Sequence, residues 1–149
     1  MDTMDVKGQA SVEYLLLALV FLIIIGSVSV PLVGKAIDSS LDVSHSSDTS
    51  AGINSIANAV GVVYSNGPGA KRTINVYFSK GGTISYNSAN NTIQMPVVLS
   101  NGTSKIIDAS VPIAVSLNPS ATVISNTNYN ATVTWPVGTT SVNVALAQS

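Results

Sequence analysis

YLLLALVFLIIIGSVSVPLVG, from Tyr14 to Gly34, carries no charge and is closed by Lys35. As a helix it spans about 31 Å at ~1.5 Å per residue, enough to cross a hydrocarbon layer of roughly 30 Å. Its densest part, Leu15 to Ile25, is apolar on every face. A helix of that kind is buried, either in lipid or among other helices. Pro31 lacks a backbone donor and is expected to kink the helix or unwind it locally.

On the N-terminal side lies a short polar segment, MDTMDVKG, from Met1 to Gly8. A secretory signal peptide would combine a basic start, an apolar core of ~7–15 residues and a small-residue cleavage site after it. Ser27, Ser29 and Gly34 mimic such a site, but the apolar run is too long. An ordinary single-pass anchor explains the length. Two features go beyond a plain anchor: Lys7-Gly8 directly precede Gln9, and Glu13 lies at the edge of the uncharged run. A carboxylate at the end of a membrane helix is costly unless hydrated or paired, so its position calls for a partner.

On the C-terminal side, residues 35–66 read as an amphipathic continuation of the helix. Ile37 and Leu41 are four apart, and Ile53, Ile56, Val60, Val63 and Tyr64 recur at three and four. Between them Val43 to Ser50, VSHSSDTS, is a poor helix former, so the region is read as helical with a break allowed near Ser44–Ser50, within mostly one long helix from about Ala10 to about Tyr64. Asn66-Gly67-Pro68-Gly69 stops the helix. From 71 to 149 short β-rich runs alternate with turn signals: 73–79, 83–86, 92–99, 103–108, 111–117, 121–125, 129–135 and 141–146. Asn101-Gly102 is the clearest hairpin signal, and Asn118-Pro119 marks another turn. The fold class is therefore α+β: a long hydrophobic N-terminal helix, then an antiparallel β-sheet or β-sandwich head.

Bulk properties narrow the function classes. Charged residues make up 9% of the 149, far below the roughly 25% of an ordinary soluble domain. The net charge of −1 leaves no basic stripe for nucleic acid. Without cysteine there is neither a disulfide nor a thiolate metal site. Asp42, His45 and Asp48 would share a helical face, but one His with two short carboxylates makes a weak metal site, and the expected reading is a solvated polar face. No nucleophile–base–orienter set and no phosphate-binding glycine motif is legible, so the expectation is a non-enzyme without metal or cofactor. Tyr129 and Trp135 are read as packing aromatics ahead of a sugar-stacking platform. Three N-glycosylation sequons fall at Asn90, Asn101 and Asn130; proline excludes Asn118-Pro119-Ser120.

Lys7-Gly8 followed by Gln9-Ala10-Ser11-Val12-Glu13-Tyr14-Leu15 resembles the class III signal peptide of archaeal type IV pilins, most closely the methanogen-type adhesion pilins. The match covers about Lys7 to Leu17; the head carries no such signature. The resemblance implies cleavage between Gly8 and Gln9 by a prepilin peptidase, with Lys7 and Glu13 serving processing and assembly. The implied layout is a cleaved leader 1–8, a membrane and filament-core helix 9–34, an amphipathic helix 35–66 and an extracellular head 71–149. Implied partners are identical or related pilin subunits, the peptidase, a pilus assembly ATPase and a membrane platform protein. The subunit would pass from the cell membrane to an extracellular adhesion pilus. A rival expectation is a membrane-tethered β-domain adhesin or carbohydrate-binding module that never polymerises.

The chemistry agrees with that order of motifs. A cut ahead of the apolar run leaves the run on the mature chain. Gly8, without a side chain, fits a narrow protease groove. Lys7 retains the leader on the cytoplasmic side, with Asp2 and Asp5 weakening the signal. Cleavage would create an ammonium at Gln9, one turn from Glu13. Pairing the two in an apolar core avoids a desolvation penalty of several kcal/mol per ion.

Overall fold

The computed structural model describes residues 4–117 and 121–149, with side chains described for Gly8 and from Ser11 onward. Asn118-Pro119-Ser120, read above as a turn, lie outside the described residues. The chain forms two compact units, residues 1–40 and 41–149, and a single helix, α1 (Met4–Asn66), contributes to both.

α1 runs over Met4–Asn66 and continues unbroken through Pro31 and through Ser44–Ser50. The break that VSHSSDTS left room for does not occur, and the long helix read from the sequence is one element. Ser, Thr, Asp and His disfavour helix by only about 0.5 kcal/mol each. Here Ser46 and Thr49 are buried in the second unit, and packing outweighs that intrinsic preference. The helix stops where expected. Gly67 takes a left-handed φ of 85° and its N–H donates to the Tyr64 carbonyl at 3.2 Å, the usual way a glycine closes a last turn.

Eight strands follow: β1 (Lys71–Phe78), β2 (Gly82–Asn87), β3 (Thr92–Val98), β4 (Ser104–Ser110), β5 (Ala114–Leu117), β6 (Ala121–Val123), β7 (Thr127–Thr134) and β8 (Ser141–Gln148). They form two four-stranded sheets, ordered β1-β7-β8-β5 and β4-β3-β2-β6. The second sheet is wholly antiparallel. The first departs from the antiparallel expectation at one place: β5 runs parallel to β8, with Val115 opposite Val142. The chain reaches this pairing only after passing through the other sheet, so no local turn signal announces it.

Alternate side chains of both sheets meet in one core. Val76, Phe78, Tyr129, Ala131, Val133, Val142 and Val144 come from the first sheet, and Ile84, Ile93, Met95, Val97 and Ile107 from the second. The Phe78 and Tyr129 rings meet edge-on at 6.3 Å, and the Tyr129 hydroxyl accepts the Ile124 N–H at 2.8 Å, tying the first sheet to the end of β6. Ile53, Ile56, Val60 and Val63 of α1 enter the same core fully buried.

Ser55, Asn58 and Val62 lie beside Arg72, Ile74 and Asn75 of edge strand β1. Asp42, Ser46 and Ser50 lie beside Lys105 and Ile107 of edge strand β4. α1 thus has edge strand β1 on one flank and edge strand β4 on the other, with an open groove between the helix and each. Tyr64 remains 45% exposed, but its ring stacks on Trp135 at 5.6 Å.

Candidate functional site

Within the first unit the helix from Val12 to Val33 is exposed on every side. Leu15 through Ile25 show roughly half or more of each large side chain, Leu22 67% of it. This segment is long and apolar enough to cross a membrane, and none of its most apolar window is buried. Burying one such side chain is worth about 1.5–3 kcal/mol, so the run leaves on the order of 15–30 kcal/mol unrealised. A whole domain's net stability is only about 5–15 kcal/mol.

Glu13 is exposed on α1 and is the sole charged residue between Gly8 and Lys35. Gly8 is also helical and exposed, with nothing within 4 Å of where a Cβ would lie. The side chains of Lys7 and Gln9 lie outside the described residues; the helix does set position 9 one turn before Glu13. A glycine costs a helix about 1 kcal/mol relative to alanine, so Gly8 is an easy point to open.

In the second unit the grooves are shallow and open. One of about 350 Å³ runs between Asp42, Val43, Ser46 and Ser47 of α1 and Leu99, Lys105 and Ile107 of the head. Asp42, His45 and Asp48, expected to form a solvated face, are each partly exposed. Asp42 is bound: its two carboxylate oxygens accept the Ser100 backbone N–H at 3.0 and 2.9 Å, and Oδ1 also accepts the Ser100 hydroxyl at 2.9 Å. The Ser100 N–H is the main cause that holds the Asp42 carboxyl below the usual carboxylate range. Partial burial opposes it, and the Ser100 hydroxyl, Lys80 and His45 add to the lowering. His45 has its Nδ1 buried without a protein partner. Among the described residues no group of three or more His, Asp or Glu is gathered for a metal. The Asp42–Ser100 clasp was invisible in sequence, since its members stand 58 residues apart and neither belongs to a motif.

The aromatics read as packing residues do pack: Tyr129 is buried, and Trp135 stacks on Tyr64 while its indole N–H donates to the Thr139 carbonyl at 3.0 Å. The three sequons lie in different settings. Asn90 is exposed in the β2–β3 turn, Asn101 in the β3–β4 turn, and Asn130 within β7. No protein family, curated protein or solved structure matches the chain. The long apolar N-terminal helix is compatible with membrane anchoring or a signal sequence, and joined to two β-sheets it makes an α+β protein.

Proposed function

We propose that this chain is a type IV pilin-like filament subunit, held in the membrane by residues 9–34 before assembly and packed through the same residues among other subunits afterwards. The observation that carries the reading is the helix from Leu15 to Ile25, apolar and exposed all round, with a lone carboxylate at its edge. A helix that serves both solvents must be apolar on every face, because lipid and neighbouring helices approach from every direction. A plain anchor does not require Glu13. A filament core does, if the carboxylate meets the ammonium that cleavage before Gln9 creates. The pair then fixes axial register, since an unpaired charge in an apolar core costs several kcal/mol.

In this reading Lys7 and Gly8 present the scissile bond to a prepilin peptidase, an ATPase and a platform protein drive assembly, and the β head faces outward for surface attachment. The N-terminal helix is the polymerising element in this reading because its large apolar side chains are exposed all round, whereas Ile53, Ile56, Val60 and Val63 are already buried in the head.

One fractionation tests this. Wild type and Glu13→Ala are counted in membranes and in sheared filaments, and the first residue of each is determined. The wild type should begin at Gln9 in the filament fraction. Glu13→Ala should be cut and membrane-held but depleted from filaments roughly 100-fold or more, as expected from about 3–5 kcal/mol for breaking a buried pair. An uncut wild-type chain confined to membranes would leave the tethered, non-polymerising adhesin as the better reading. Normal filament yield from the mutant would remove the charge pair.

A further inference from the structure

The three sequons are equal in sequence and unequal in the fold. An enzyme that glycosylates asparagine must draw the Asn amide out of the protein and read the hydroxyl two residues on. It therefore needs a short stretch of chain, both side chains included, that is free of ladder pairing and burial.

Asn130 fails on pairing. It sits in β7, an interior strand, opposite Asn75 of β1 and Ala147 of β8. Its Oδ1 accepts from the Asn75 amide at 3.3 Å, and the Thr132 hydroxyl is shared with Thr73 at 3.1 Å. Presenting this sequon would break the ladders on both sides of β7. Asn90 fails on burial. Its own side chain is exposed, but Thr92 is only 6% exposed and is paired within β3 to Asn87 and Ser110. The Tyr86 hydroxyl also holds the middle residue, donating to Asn91 Oδ1 at 2.6 Å.

Asn101 meets both requirements. β3 ends at Val98 and β4 begins at Ser104; between them two backbone bonds close the turn, Leu99 N–H to the Thr103 carbonyl at 2.8 Å and Gly102 N–H to the Leu99 carbonyl at 2.9 Å, and Asn101, Gly102 and Thr103 are all exposed. Gly102 has a φ of 81° and open space around it, which makes the turn and leaves room on that side. The Thr103 N–H and hydroxyl both donate to Asn101 Oδ1, at 2.9 and 2.6 Å. The amide and the hydroxyl that a transferase reads are thus already side by side. The Asp42 clasp on the neighbouring Ser100 pins the base of the turn while its tip stays open.

We infer that Asn101 is the N-glycan acceptor of this head, and that Asn90 and Asn130 are not modified once it has folded. The donor is a polyprenyl-phosphate-linked oligosaccharide. Asn101 Nδ2 forms a bond to the anomeric carbon as that carbon's bond to the phosphate oxygen breaks. The lipid phosphate leaves with the electron pair, and the Nδ2 proton passes to a carboxylate of the transferase. The inference rests on the reading above in one respect: the head must reach the outer side of the membrane.

The test uses the full chain from producing cells in which a reporter sequon protein is glycosylated. Peptide masses are read for each sequon, alongside digestion of the head by protease added to intact cells. The peptide holding Asn101 should carry the glycan mass, the other two should not, and both Asn101→Gln and Thr103→Val should abolish the mass shift of the whole chain. Glycan on Asn90 or Asn130 would overturn the selection. So would a bare Asn101 in a head that added protease digests. A bare Asn101 in a head that protease cannot reach would overturn the outward-facing reading, and this inference with it.

Discussion

The apolar residues at 15–25 and those at 53–63 belong to one helix and live under opposite rules. Leu15 to Ile25 are apolar at every position and exposed at every position. From Ile53 to Val63 the large apolar residues fall at three and four, and Ile53, Ile56, Val60 and Val63 are fully buried against two sheets. The second stretch is satisfied by its own chain. The first is not, and its pattern has no preferred face to offer a single partner. What the difference teaches is that periodicity reports the number of surfaces a helix must meet. One apolar stripe means one sheet face or groove; apolarity all round means an enclosing solvent or a bundle.

Substitution can break this contrast most sharply at the aromatic core. Phe78 is fully buried and touches Tyr129, so Phe78→Ala should cost about 3–5 kcal/mol of head stability. Leu22→Ala removes a large, mostly exposed apolar side chain from the first stretch, yet should shift head stability by less than about 0.5 kcal/mol. Urea unfolding of the full chain in detergent, followed by the single tryptophan Trp135, measures both. Equal losses at the two positions would mean that the exposed stretch also supports the head.

Glycines sharpen the comparison at a smaller scale. A Cβ at Gly52 would lie 2.9 Å from Phe78 Cε1 and 3.4 Å from the Tyr77 carbonyl oxygen, and the buried ring cannot swing clear. Overpacking costs about 1–3 kcal/mol and the gain in helix propensity returns about 1, so Gly52→Ala should be destabilising by about 1 kcal/mol. Gly34 has nothing within 4 Å, and Gly34→Ala should leave head stability unchanged while raising helicity. The same unfolding curves, with far-ultraviolet circular dichroism, give the sign at each site.

The smallest effect is electrostatic and belongs to the second region alone. Asp42 has a lowered carboxyl pKa in the folded head, against an ordinary value near 3.9 when unfolded. Its contribution is therefore complete above about pH 5 and is lost as pH falls through the lowered folded value. Asp42→Asn should flatten the acid limb of head stability below about pH 4. An unaltered acid limb in Asp42→Asn would mean that the Ser100 clasp adds nothing in solution.

Much of the architecture was legible because it is local. The eight β runs fall within a few residues of the observed strands, and the Asn101-Gly102 hairpin is present, with Gly102 left-handed as a tight hairpin turn requires. β5 begins at Ala114 rather than Val111, because the Val111 N–H is drawn to the Asn91 carbonyl at 2.8 Å. At the candidate site, Gly8, Glu13 and the apolar run could be read directly, since composition and order carry their meaning. Which of Asn90, Asn101 and Asn130 is presentable could not, since that depends on the burial of Thr92 and on the pairing of Asn130 with Asn75.

The amino-acid sequence by itself determined the apolar span, the stop at Gly67, the strand pattern and the position of the lone carboxylate. Each follows from residue type and spacing over a few turns of chain. Tertiary structure alone decided that VSHSSDTS stays unbroken helix, that β5 runs parallel to β8, and that Asp42 clasps Ser100. Those outcomes turn on contacts between residues tens of positions apart. There, burial of a few side chains outweighs local preferences of about 0.5 kcal/mol per residue.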